Sequence, residues 1–237
     1  DAHELRKSNK DSLKYALYNL LVKVTGRTLP WGNLTGIRPA KLAMGMIESG
    51  MKNTEIAQEM RERYLVSAKK TALAITIANR ERAILQDIDY EHGYSLYVGI
   101  PFCPTTCLYC SFTSYPISKW KGRTGLYLEA LFKELEYTAE KMKGRPLDTI
   151  YFGGGTPTSL PAEDIDAILC KLEQLFDTKN ALEFTVEAGR PDSITEEKLK
   201  VLASHGISRI SINPQTMNQK TLDLIGRRHT VENVKEK

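Results

Sequence analysis

Residues 95–112 read SLYVGIPFCPTTCLYCSF. The first six form a short apolar run rich in β-formers, and Cys103, Cys107 and Cys110 follow almost at once. The spacing predicts a strand over 95–100 that empties into a cysteine loop. Three thiolates this close can hold three corners of one metal cluster, and no fourth cysteine stands in the neighbourhood to close the last coordination site. An open site is where a small molecule can bind a metal and react.

Downstream, the pattern alternates. An amphipathic helix is expected over 124–143, with Leu128, Leu131, Leu135, Ala139 and Met142 inward, then a strand over 149–152 ending in Gly153-Gly154-Gly155-Thr156-Pro157. A helix over 162–176, a strand over 182–186 and a helix over 195–205 come next. A strand over 209–212, a helix over 218–225 and a further helix capped by Thr230 complete the series. Strands alternating with helices imply βαβ units and a parallel sheet, whose ligands sit at the C-terminal strand ends. Every notable motif follows a strand. The cysteines follow the first and the glycine run the second, Glu187 follows the third, and Asn213-Pro214-Gln215 the fourth.

Upstream, residues 1–92 read as a small helical lead-in domain, and 93–237 as the α/β domain. Leu13, Leu17, Leu20, Leu21 and Val24 share one helical face ahead of Gly26; Pro39 suits a first turn and Gly50 a helix end. Asn53 or Thr54 can cap a helix reaching about Tyr64, and Ser67 a longer one lined by Leu73, Ile77, Ile84 and Ile88. No chemistry is read in this lead-in.

Composition bounds the function. With 237 residues, 41% of them apolar, the chain can bury a substantial core. Its net charge of +4 is mild and interspersed, which argues against a nucleic-acid partner. No long uncharged apolar stretch suggests a membrane span. Three clustered cysteines out of four fit a metal site in a reducing, cytoplasmic compartment rather than a disulfide framework. The cluster reading is a [4Fe–4S] group on three thiolates. The alternatives are a zinc site completed from elsewhere, with His92 available upstream, or three unligated buried thiols. Cys170, mid-helix, reads as a structural core residue.

The spacing C-x3-C-x2-C, with Tyr109 before the last cysteine, resembles the radical S-adenosylmethionine superfamily. The phrase YVGIPFCPTTCLYCSF resembles the branch of oxygen-independent coproporphyrinogen III oxidases and their haem-chaperone relatives. So do YFGGGTPTSL (151–160), EAGRPDSIT (187–195), RISINPQTMN (209–218) and LIGRRHT (224–230). The stretch LTGIRPAK (34–41) resembles the HemZ-type subgroup. The resemblance implies a partial parallel (β/α) barrel, of which four of six repeats are seen here. It also implies a [4Fe–4S] cluster on Cys103, Cys107 and Cys110 that binds S-adenosylmethionine. One-electron cleavage of that sulfonium yields methionine and a 5′-deoxyadenosyl radical, which takes a hydrogen atom from substrate.

By the same resemblance, Gly153, Gly154, Gly155 and Thr156 contact the methionine amino group. Glu187 and Gln215 contact the ribose, and Arg227 clamps the carboxylate, with Arg228 as the competing assignment. Tyr97 sits near the active centre. Taken singly, each has a structural alternative: a tight turn, an ion pair of Glu187 with Arg190, a loop amide, or a helix-end cation. The implied partners are a tetrapyrrole substrate and an electron donor such as a flavodoxin or ferredoxin. The family's oxidases carry an additional cysteine where this chain has Phe112, a position that is aromatic in the chaperone-like relatives. Two activities therefore stand open: oxidative decarboxylation of coproporphyrinogen III, or haem binding and delivery. A zinc-stabilised, non-catalytic domain is the third reading. With four strands counted, the chain reads as truncated at its C-terminus, and uncovered sheet edges predict self-association. Light scattering checks this: an assembly is expected, and a clean monomer at working concentrations contradicts it.

Overall fold

The computed structural model describes residues 2–36 and 38–237, with side chains from residue 9 onward. Ile37, within the LTGIRPAK stretch, lies outside the described residues. The chain divides into two compact units, Asp1–Asp87 and Ile88–Lys237.

The first unit is helical: α1 (Ala2–Thr25), α2 (Pro39–Glu48), α3 (Asn53–Glu62) and α4 (Ala68–Leu85). Pro39 opens α2, where its missing N–H costs nothing, and Gly50, at φ +89°, lets the chain turn out of it. Asn53 is the first residue of α3 rather than its cap; Glu55 instead reaches back to accept the Lys52 N–H at 2.7 Å. The core gathers Ala43, Ile47, Ile56, Met60, Val66, Ala74 and Ala78. Two expected faces differ from this. Leu13, Leu17, Leu20, Leu21 and Val24 of α1 are exposed, as are Leu73, Ile77 and Ile84 of α4. Ile88 lies beyond α4 altogether. In α4 the buried positions are Thr71, Ala74 and Ala78. That stripe has the same helical period, and its small side chains let the α4 backbone approach α2 and α3 closely.

The second unit carries the sheet. Its long strands are β1 (Tyr94–Ile100), β4 (Leu147–Gly154), β5 (Glu183–Glu187) and β6 (Arg209–Ser211), all parallel and ordered β1-β4-β5-β6. Sequential neighbours joined by helical crossovers are the arrangement the alternating pattern predicts. The helices are α5 (Thr124–Lys141), α6 (Ala162–Leu175), α7 (Glu196–Ser204), α8 (Gln219–Leu224) and α9 (Val231–Glu236). Thr195, Asn218 and Thr230 cap the last three, each side chain accepting a backbone N–H from the first turn. The core joins Leu96, Val98 and Ile100 of β1 to Ile150, Phe152, Phe184 and Val186. Leu128, Leu131 and Leu135 of α5 and Ile165, Ile168, Leu169 and Leu172 of α6 cover them. A two-residue pair that the sequence reading lacks, β2 (Phe102–Cys103) with β3 (Tyr115–Pro116), brackets the cysteine loop.

The strand register fixes the site. Gly99 pairs with Gly153 and Ile100 with Gly154, so the glycine run emerges directly beside the chain that becomes the cysteine loop. Gly154 sits at φ +106°, and a Cβ there would stand 2.8 Å from the Ile100 carbonyl oxygen. Gly154→Ala should therefore cost about 1–3 kcal/mol of stability. Gly125→Ala, in open space on α5, should gain about 0.5–1 kcal/mol. Urea unfolding measures both; equal effects would contradict this account of the turn.

Candidate active site

Beyond β4, the N–H groups of Gly155 and Thr156 donate to the carbonyls of Ile100 and Phe102, each at 2.7 Å. This pulls the glycine turn against the base of the cysteine loop. A Cβ on Gly155 would lie 2.7 Å from the Phe102 oxygen and 3.0 Å from the Cys103 sulfur, so only glycine allows the approach. Cys103 is buried, with its Sγ 3.5 Å from the Thr156 hydroxyl. Burial pushes its thiol up, while the Thr156 hydrogen bond and the Arg190 charge pull it down. Cys107 and Cys110 are partly exposed, and all three are free thiols. The Cys110 N–H donates to the Cys107 carbonyl at 3.0 Å, and the Cys110 sulfur lies 3.6 Å from the Ser114 hydroxyl.

A buried arginine holds the loop from below. Arg190, 2% exposed, follows β5 and forks onto Asp192, Nε to Oδ1 at 3.0 Å and Nη2 to Oδ2 at 2.9 Å. Its Nη1 donates to the Thr105 hydroxyl at 3.1 Å and lies 3.9 Å from the Cys107 sulfur. On the other side, the Leu108 N–H donates to the Ile225 carbonyl at 3.0 Å, and the Thr105 hydroxyl to the Gly226 carbonyl at 3.1 Å. The loop is thus fastened to the ends of both β5 and α8. The sequence offered Arg190 only as an ion-pair partner for Glu187. Instead the Glu187 carboxylate accepts the Tyr151 hydroxyl, which raises that phenol to about 12.

Cys103, Cys107, Cys110, Gly154, Gly155, Thr156, Glu187, Gln215 and Arg227 all line one cavity of about 250 Å³. Tyr109, Phe112 and Arg190 contribute to the same wall. Gln215 adopts φ +67°, in the left-handed region, with its N–H on the Asn213 side-chain oxygen. Arg227 is buried; its Nη1 donates to the Asn213 carbonyl at 2.7 Å, and its buried Nε has no partner among the described residues. Arg228, its rival in the sequence, is exposed. Gly153 and Tyr97 do not line the cavity. A Cβ on Gly153 would lie 2.7 Å from the Tyr151 ring and 3.1 Å from the Tyr97 hydroxyl. Tyr97 is mostly exposed and stacks on Tyr151 at 5.9 Å. Cys170 is not in a core context: it is partly exposed, and its neighbours are Asp166 and His205.

The family model described as the radical SAM superfamily matches residues 97–237, more than half of the chain. The chain belongs to the radical SAM superfamily. Among relatives, it is 46% identical to the oxygen-independent coproporphyrinogen-III oxidase-like protein HemZ of Bacillus subtilis, over 99% of this chain and 48% of that one. It is 39% identical to the heme chaperone HemW of the same organism, over 59% of this chain and 36% of the relative. Among solved structures, the coproporphyrinogen III oxidase HemN of Escherichia coli matches with TM-score 0.55 and 30% identity, covering 65% of this chain and 35% of that one. The chain spans about half or less of the length of these relatives.

The donor set fits what the radical SAM family implies, a [4Fe–4S] cluster with S-adenosylmethionine. Three free thiols share one cavity with Arg227, whose buried Nε lacks a partner among the described residues, beside a glycine turn that a Cβ would block. No helix of the described residues is long and apolar enough to cross a membrane.

Arg190→Lys keeps the charge but loses the fork that joins Thr105 to Asp192. It should lower stability by about 1–3 kcal/mol. Arg209→Lys, on an exposed pair with Glu183, should stay within about 0.5 kcal/mol. Urea unfolding reads both, and an unaffected Arg190→Lys variant contradicts the anchoring role.

Proposed function

We propose that this chain carries the cofactor-binding part of a radical SAM oxidoreductase of tetrapyrrole metabolism, converting a coproporphyrinogen III-like substrate by oxidative decarboxylation. One observation supports it above the others: residues at the ends of β4, β5 and β6, together with Arg227 after α8, line a single cavity with the three cysteines that follow β1. Cys103, Cys107 and Cys110 would hold the cluster, and the cluster with its sulfonium ligand supplies one-electron radical chemistry when bound.

The chain's own residues account for binding and exclusion. The N–H groups of Gly155 and Thr156 are committed to Ile100 and Phe102, so this turn suits an ammonium rather than an anion. The Arg227 guanidinium, buried and with a free Nε–H among the described residues, suits a carboxylate. Glu187, held by Tyr151, presents acceptor oxygens for the two hydroxyls of a ribose, and Gln215 lines the same cavity. Tyr97, outside the cavity wall, would face substrate rather than cofactor. A flavodoxin- or ferredoxin-like donor would supply the electron.

Phe112 favours a second reading, haem binding and delivery. It is 79% exposed at the wall of the same cavity, and the chaperone relative is 39% identical. Haem titration of the cluster-loaded protein separates the two: tight stoichiometric binding without turnover supports delivery.

The test of the leading reading is anaerobic reconstitution with iron and sulfide, followed by dithionite and S-adenosylmethionine. The expected product is 5′-deoxyadenosine. Cys107→Ala should lose both chromophore and product. Arg227→Ala should keep iron but bind S-adenosylmethionine about 10- to 100-fold more weakly, whereas Arg228→Ala should match the parent. Iron uptake without any 5′-deoxyadenosine, or equal loss in the two arginine variants, would overturn it.

A further inference from the structure

On the helical flank of the second unit, away from every residue that lines the cavity, three donor atoms of different chemistry converge. Asp166 and Cys170 are four residues apart on α6 and therefore share one face. His205 stands at the C-terminal end of α7, which packs beside α6; Gly206, at φ +66°, turns the chain away immediately after it. The His205 Nε2 lies 2.9 Å from Asp166 Oδ1, and the Cys170 sulfur 3.9 Å from Asp166 Oδ2. The three ligand-type atoms fall within 4.8 Å of one another. The His205 side chain is only 10% exposed.

Glu173 adds a fourth, differently placed contact: its Oε1 lies 2.8 Å from the other ring nitrogen of His205, Nδ1. Burial pulls the ring's proton affinity down, but the carboxylates on both nitrogens outweigh it and raise it; a metal at Nε2 would replace the proton shared with Asp166, while Glu173 keeps the Nδ1–H in place. Metal-bound histidines are oriented in this way by their outer partner.

We propose that Asp166, Cys170 and His205 form a second metal site, separate from the cysteine loop, that takes a zinc-class divalent transition ion. Oδ of Asp166, Sγ of Cys170 and Nε2 of His205 are the three ligands, and water completes a tetrahedron. Thiolate with imidazole selects a borderline-soft ion over magnesium or calcium, which want oxygen alone. Binding displaces the Sγ proton and any proton on Nε2 to solvent. It also reverses the local electrostatics, because burial first and then the Asp166 and Glu173 charges otherwise hold the thiol protonated. The ion would tie α6 to α7 across the back of the sheet.

The competing account is a histidine pinned between two carboxylates, a staple of α6 to α7 that needs no metal. Cys170 distinguishes them, since it takes no part in that staple. Cluster-loaded protein is dialysed against micromolar zinc, and zinc and iron per chain are counted by plasma mass spectrometry. The unsubstituted chain should hold one zinc beyond its iron. Cys170→Ala and His205→Gln should bind it at least about 10-fold more weakly with iron unchanged, and Glu173→Gln about 10- to 100-fold more weakly. The full-length chain with Cys103, Cys107 and Cys110 replaced by serine provides a second readout free of cluster thiols. One equivalent of cobalt(II) should give a sulfur-to-cobalt charge-transfer band, and Cys170→Ala should abolish it. No zinc above the iron-bearing sites, or cobalt spectra identical with and without Cys170, overturns the proposal. Neither result depends on whether the cavity binds S-adenosylmethionine.

Discussion

The chain leaves β1 and β4 side by side, and the N–H groups of Gly155 and Thr156 reach across to the carbonyls of Ile100 and Phe102 at 2.7 Å. Everything at the C-terminal edge of the sheet depends on that closeness. It is set by the register that pairs Ile100 with Gly154, and it is possible only because Gly154 and Gly155 lack side chains. Had either carried a Cβ, the turn would stand away from Phe102, and the Cys103 sulfur would lose its place against Thr156. A parallel sheet thus supplies a rigid floor, and the loops above it need only short reaches to meet.

Arg190 solves a different problem. A loop with three thiols and little regular structure has few backbone bonds of its own to hold it. The guanidinium is rigid and planar, so it can grip Asp192 in two places and still reach Thr105. Burying it is costly unless most of its donors are satisfied, and Asp192 together with Thr105 meets that requirement. Arg227 differs in that its Nε–H points into buried space without a partner among the described residues, which is the behaviour of a group kept for a ligand.

The strands were legible because short apolar runs of β-formers alternate with amphipathic helices, and each run gives way to a polar, glycine or cysteine motif near its C-terminal end, although β4 itself runs on through Gly153 to Gly154. The four strands, their parallel order and most of the cavity wall followed from that pattern. The helical unit was less legible. In α4, two stripes share the helical period, one of large residues (Leu73, Ile77, Ile84) and one of small ones (Thr71, Ala74, Ala78), and periodicity alone cannot choose between them. Close helix packing selected the small stripe. Arg190 was missed because a lone arginine beside Pro191 carries no signal of burial, and the pairing of Glu187 with Tyr151 joins residues 36 positions apart. Cys170 looked like core because its helix is amphipathic, yet it lies at the margin of the buried stripe, close enough to His205 to make a different environment.

The most direct measurement is electron paramagnetic resonance of the iron- and sulfide-reconstituted, dithionite-reduced chain, with and without S-adenosylmethionine. A cluster gripped by Cys103, Cys107 and Cys110, with its fourth iron free of protein donors, gives a reduced signal whose g-values move when the nucleotide is added. A signal identical in both samples, or a chain that takes up zinc and no iron in the cysteine loop, contradicts the account.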